Sequence, residues 1–161
     1  MRRRAFLVGL AALGAAPVAL GAAPATLGAA PAGAAQGRPK ATMYKTPNCG
    51  CCEEYATYLR GHGYPVATID SQDMDALRAQ HRIPQNLQGC HTTLVGGYVV
   101  EGHVPVAAID RLLRERPRIR GISLPGMPQG SPGMSGRKTE PFRILEIATR
   151  ASSEPRLFAL E

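Results

Sequence analysis

Apolar and polar positions recur along this chain in blocks, and each block predicts an element. Ala41 to Lys45 reads as a first strand. Cys52, Tyr55 and Leu59 follow at the spacing of one helix face, and Gly61 and Gly63 end that helix. Tyr64 to Ile69 reads as a second strand. Ser71 offers an N-cap to a helix carrying Met74, Leu77 and Ala79, which stops before Pro84 because the residue preceding a proline disfavours helical backbone. Thr92 to Val95, Gly96-Gly97 and Tyr98 to Glu101 make a hairpin signal, two strand-forming runs about a glycine turn. Pro105 suits the first turn of a third helix, with Ile109, Leu112 and Leu113 on its apolar side and an end near Pro117. Gly121 to Gly136 is rich in Gly, Pro and Ser and predicts an irregular loop holding Met127 and Met134. Phe142 to Ala148 and Arg156 to Leu160 predict a closing hairpin. No internal repeat is visible.

The predicted order is β-α-β-α-β-β-α with a Cys-x-x-Cys between the first strand and the first helix. That is a thioredoxin-like layout. The expected fold class is therefore α/β: a central mixed sheet flanked by helices, followed by a Gly/Pro/Met-rich loop and a C-terminal hairpin.

The first 35 residues change the picture of where the protein works. Arg2, Arg3 and Arg4 precede a long Ala/Gly/Leu run with no acidic residue, and Ala32-Gly33-Ala34 is a small-residue cleavage pattern. Residues 1–35 read as a cleaved export signal, and Arg3-Arg4-Ala5-Phe6-Leu7 suits the twin-arginine route. Pro17, Pro24 and Pro31, with many glycines, argue against a stable spanning helix. Residues 36–161 are then a single domain, opened by the short linker of residues 36–40, exported to the periplasm and without a membrane attachment. Losing three arginines and no acid takes the net charge from +7 to +4. The remaining basic residues are scattered without aromatic interleaving, so nucleic acid is not an expected partner.

Three of the four cysteines lie in Asn48-Cys49-Gly50-Cys51-Cys52, and the fourth, Cys90, precedes His91. Export places them where disulfides persist, so two structural bridges are one reading. Against it, Cys51 and Cys52 are adjacent and a Cys49–Cys52 bridge closes a loop too short to constrain the unfolded chain much. The free N–H groups of a helix N-terminus favour a thiolate, and Cys51 and Cys52 sit in or beside that first turn. Residues three apart share a face, so Cys49 and Cys52 can meet, while Cys51 is turned about 100° away from Cys52. In thioredoxin-like proteins the loop before the third strand faces this pair, usually with a cis-proline. Here that loop reads Gln88-Gly89-Cys90-His91-Thr92, which brings Cys90 to the other three sulfurs.

A thiol–disulfide oxidoreductase needs one attacking and one resolving thiol, and further thiols alongside promote scrambling. A soft ion wants several thiolates held together, and Cu(I) accepts two or three sulfurs and forms thiolate-bridged clusters. Zinc wants four ligands in a closed tetrahedron, which the adjacent pair serves poorly, and the spacing fits no usual iron–sulfur pattern. Met127 and Met134 sit in Pro/Gly-broken segments, as gap-fillers or as thioether ligands. His91 and His103 are ligand candidates, whereas His62 and His81 read as surface histidines. No Ser/His/Asp arrangement, phosphate-cradling loop or catalytic carboxylate pair stands out.

Four segments carry a resemblance: Tyr44-Lys45-Thr46-Pro47-Asn48-Cys49-Gly50-Cys51-Cys52, Cys90-His91-Thr92, Gly97 to Pro105, and Pro125-Gly126-Met127-Pro128 through Met134. Together they resemble the CopG-like family, exported bacterial proteins of thioredoxin-like fold associated with copper resistance. The resemblance implies Cu(I) binding at Cys49, Cys51, Cys52 and Cys90, with His91, His103, Met127 and Met134 as further ligands and a Cu(I)/Cu(II) redox step as an additional implication. The expected partners are copper ions and other periplasmic copper-handling proteins.

Overall fold

The computed structural model describes residues 37–150 and 154–161; the predicted export segment lies outside them. Strand β1 (Ala41–Lys45) alternates buried and half-buried side chains, the two-residue period of a sheet. Helix α1 (Gly50–Gly61) turns Cys52, Tyr55, Ala56 and Leu59 inward, the face its spacing predicts. There follow β2 (Val66–Asp70), α2 (Met74–Gln80), a 3-10 turn at Gln85–Leu87, β3 (Thr92–Val95), β4 (Tyr98–Glu101) and α3 (Val106–Glu115). The predicted order of seven elements is observed. β5 (Gly121–Ser123), β6 (Arg143–Ile147) and β7 (Leu157–Leu160) complete the described chain.

The strands form one mixed sheet in the order β2-β1-β3-β4-β5-β6-β7. β1 is parallel to β2 and β4 to β5, and every other pair is antiparallel. The β3–β4 hairpin turns on Gly96 and Gly97 at φ 57° and 89°, left-handed backbone that glycine adopts without cost. One face of the sheet shares a core with α1 and α3, in which Met43, Tyr55, Leu59, Ile109, Leu112 and Ile144 lose nearly all contact with water. The other face buries Ile83, Leu87, Val99 and Ile147. Neighbours on one strand divide between the faces: Val100 belongs to the first core and Val99 to the second. A buried side chain of this size contributes about 1.5–3 kcal/mol by leaving water. These contacts fix α1, and the cysteines at its start, against β1 and β3. Among the described residues no helix is long and apolar enough to cross a membrane.

Three details differ from the sequence reading. β2 runs from Val66 to Asp70 rather than from Tyr64, because Tyr64 packs into the core as the chain leaves α1. The cap of α2 is Asp73, whose carboxylate accepts from the Ala76 N–H at 2.8 Å; Ser71 instead accepts from the Asp73 N–H at 3.3 Å. The predicted loop opens with strand β5. Its three residues are too few to show a period, and its pairing is supplied by β4 and β6. At Gly121 a Cβ would lie 1.8 Å from the Val99 carbonyl oxygen, so only glycine lets the strands approach this closely.

Candidate metal centre

The chain reaches the site through Asn48, in left-handed backbone at φ 58°, a conformation asparagine tolerates better than most residues. Cys49 then takes the N-cap position of α1, and Cys51 and Cys52 fall in its first turn. Cys52 is fully buried, and Cys49, Cys51 and Cys90 are half-buried. Cys49 and Cys52 form a disulfide, while Cys51 and Cys90 are free thiols. Cys90 Sγ lies 3.3 Å from Cys49 Sγ, 3.3 Å from Cys51 Sγ and 3.4 Å from Cys52 Sγ. The gathering of four sulfurs expected from the sequence is thus present, with Cys90 touching all three others. Cys51 points toward the Cys90 loop, as its turn from Cys52 requires.

A second ligand group adjoins the first. Cys90, His91 and His103 each offer an atom within 4.8 Å of the other two. His91 and His103 are completely buried, with ring centres 4.8 Å apart, and the Tyr55 ring covers His91 at 4.6 Å. The His103 Nδ1–H donates to the Pro132 carbonyl at 2.7 Å, which leaves its Nε2 lone pair free. That Nε2 and both ring nitrogens of His91 are buried without a hydrogen-bond partner among the described residues. Such atoms each cost about 1–3 kcal/mol, so a built site that leaves three of them open suits a ligand-binding role.

Burial also sets the protonation states. The Cys90 thiol is pushed up to about 12, first by burial and then by its hydrogen bond to Cys51 and the charge there. His91 is pulled down to about 3 by burial, with the charges of His103 and Arg78 adding to it. His103 is lowered by burial against the opposing pull of the Pro132 carbonyl. Both imidazoles are therefore neutral, the form that binds metal, whereas Cys90 must give up a proton to do so. Soft sulfurs beside neutral imidazoles fit a soft or borderline ion, copper among them.

The glycine-rich loop closes over the site. A Cβ at Gly133 would sit 2.6 Å from the Tyr55 nitrogen and 3.0 Å from the Cys51 carbonyl oxygen, so the loop lies on the first turns of α1. Met134 follows and is half-buried. On the other side the Gly126 N–H donates to the Gln88 carbonyl at 2.9 Å, and the next residue, Met127, is 57% exposed. The backbone thus carries both methionines past the cysteine cluster. His62 and His81 belong to neither ligand group.

Sequence reasoning missed the polar groups behind Cys90. Glu101 is fully buried, and Arg78 reaches it from α2. A carboxylate closing the apolar run Tyr98-Val99-Val100 was the available signal.

No curated protein matches the chain. The family described as "Protein of unknown function, DUF411" matches residues 87–134, the span from the Cys90 loop to Met134. Two solved structures, described as "Copper resistance protein copG", Form 2 and Form 1, superpose with TM-scores of 0.70 and 0.69. Each is 33% identical, with the likeness covering 77% of this chain and 98% of theirs. With that identity over nearly the whole of those chains, this protein belongs to the CopG copper-resistance family.

Proposed function

We propose that this protein is exported by its N-terminal signal to the periplasm, where residues 36–161 form a thioredoxin-like domain that holds Cu(I) for copper resistance or homeostasis. Cys49, Cys51, Cys52 and Cys90 are the primary ligands, and His91, His103, Met127 and Met134 complete the donor set. A Cu(I)/Cu(II) redox step belongs to the same reading, as does exchange of the ion with other copper-handling proteins. The observation that carries the proposal is the position of Cys90, common to the four-sulfur group and to the His91–His103 group. A sulfur shared in this way suits bridging between ions, so more than one Cu(I) per chain is expected. The disulfide leaves two free thiols, and its two-electron reduction releases all four. An anaerobic Cu(I) titration of the reduced mature protein against a competing chelator tests the site. Cys90→Ser should lower the number of ions bound, and binding equal to the native protein counts against a shared site.

One observation favours a second reading, a thiol–disulfide oxidoreductase: a disulfide with free thiols within 3.5 Å of its sulfurs. In the reduced pair a Cys49 thiolate would attack a substrate disulfide to form a mixed disulfide, and Cys52 would resolve it, restoring the Cys49–Cys52 bond and releasing the substrate's two thiols. Such an enzyme needs only Cys49 and Cys52. In the same titration series, disulfide-reducing activity that survives both Cys51→Ser and Cys90→Ser would favour it over the copper site.

A further inference from the structure

The four sulfurs are held unequally. Cys49, Cys51 and Cys52 ride on the start of one helix, but Cys90 lies between the 3-10 turn and β3, in a segment with no helical ladder of its own. The residue just before it, Gly89, is gripped by two side chains instead. The Gly89 N–H donates to Glu101 Oε1 at 2.9 Å, and the Gly89 carbonyl accepts from Arg78 Nη2 at 2.8 Å. Arg78 Nε donates to the same Glu101 Oε1 at 3.2 Å, which closes a ring of guanidinium, peptide and carboxylate. The other oxygen, Glu101 Oε2, accepts from Thr92 Oγ1 at 2.6 Å. After Cys90, the His91 carbonyl accepts from the Gly102 N–H at 2.9 Å. The chain is therefore tied on both sides of Cys90. It also has no room to shift, since a Cβ at Gly89 would meet the Gly102 Cα at 2.6 Å.

Simple packing would not select this arrangement. The Glu101 side chain has no exposure and that of Arg78 only 12%, and a buried ion pair by itself adds little stability over an apolar pair of the same shape. What the pair offers is direction: a planar fork with donors at fixed angles, and a carboxylate that accepts from both ends of one segment. We propose that Arg78 and Glu101 are positioning residues that hold Cys90 where it serves both ligand groups. This rests on the copper-binding reading above only for its purpose; the positioning itself is measurable without metal.

The test uses the reduced mature protein with Arg78→Gln and with Arg78→Lys, which keeps the charge but loses the fork. Metal-free protein is alkylated with iodoacetamide, and the rates at Cys90 and Cys51 are followed by mass spectrometry. Arg78→Lys should raise the Cys90-to-Cys51 rate ratio about fivefold, the factor equivalent to one lost hydrogen bond of ordinary strength. Arg78→Gln should raise it by less, because it also removes a positive charge that favours the Cys90 thiolate. The tightest Cu(I) should bind about tenfold more weakly or worse, as is usual when a group supporting a ligand is removed. A role in stability alone would lower the melting temperature and leave the rate ratio at its native value; that result in a folded variant overturns the proposal. If Arg78→Gln does not fold, the Arg78→Lys ratio decides. A native protein that binds no Cu(I) defeats the copper reading, while the alkylation ratio still decides whether the ring positions Cys90.

Discussion

His91 is a residue whose protonation state the fold alters. Its ring is sealed beneath Tyr55 and beside His103, and neither nitrogen has a partner among the described residues. The surroundings hold it neutral down to about 3, where an ordinary histidine protonates near 6.5. The consequence for stability has a definite sign. Above about pH 6.5 the ring is neutral in both folded and unfolded chains and contributes no slope. As the pH falls from there toward 3, the unfolded chain takes up a proton that the folded chain refuses. Stability is lost at about 1.4 kcal/mol per pH unit for one such group, and the loss levels off below the folded value. His103 acts in the same sense. Glu101 acts in the opposite sense, because burial raises its value above that of an ordinary glutamate, against the bonds from Thr92, Gly89 and Arg78. Replacing His91 therefore isolates its share. Urea denaturation of the reduced, metal-free protein at pH 7, 6 and 5 should give a shallower decline for His91→Asn than for the native chain, and parallel declines would show that the ring is not sealed. The chemistry of such residues is legible in sequence: soft ligands are recognisable by type, and Cys90-His91 was conspicuous. Their burial was not legible, because no local pattern distinguishes a sealed histidine from one at a strand end.

At the scale of elements, the site depends on three backbone arrivals: the start of α1, the segment before β3, and the loop after β5. The first two were readable because helical recurrence in α1 and the glycine turn of the β3–β4 hairpin are strong local signals. The third was not, since β5 acquires its strand character from β4 and β6. β5 nonetheless sets where the loop bearing Met127 begins. Its contact with β4 is tight enough to test. Gly121→Ala places a methyl group against the Val99 carbonyl oxygen, a backbone atom that cannot move aside. A loss of about 1–3 kcal/mol is expected from such overpacking, read as a lower urea midpoint at unchanged slope. An unchanged midpoint would mean that β5 and β4 are not in this close contact.

For the molecule as a whole, the decisive event is long-range. Cys49 and Cys90 are 41 positions apart in sequence and 3.3 Å apart at sulfur. The sheet brings this about by setting β3 beside β1, so that the segments preceding β3 and following β1 meet at one end. The redox state of the assembled site should then govern its capacity. Protein oxidised to the Cys49–Cys52 disulfide keeps only two free thiols and is expected to bind fewer Cu(I) per chain than protein reduced to four. Anaerobic titration of the two forms compares them directly, and equal stoichiometry would remove Cys49 and Cys52 from the ligand set.

The sequence by itself determined the order of the first seven elements, the soft chemistry of the cysteine triplet and the family likeness. Each of these is a property of residue type and spacing within a short window, which survives being read one residue after another. The meeting of Cys90 with the triplet was expected only through the fold layout. The tertiary structure alone decided that Cys90 is shared with His91 and His103, and that Arg78 and Glu101 hold Gly89 before it. These are contacts between chain segments far apart in sequence. They form when burial and strand pairing bring the segments together, and no local period records which partners will meet.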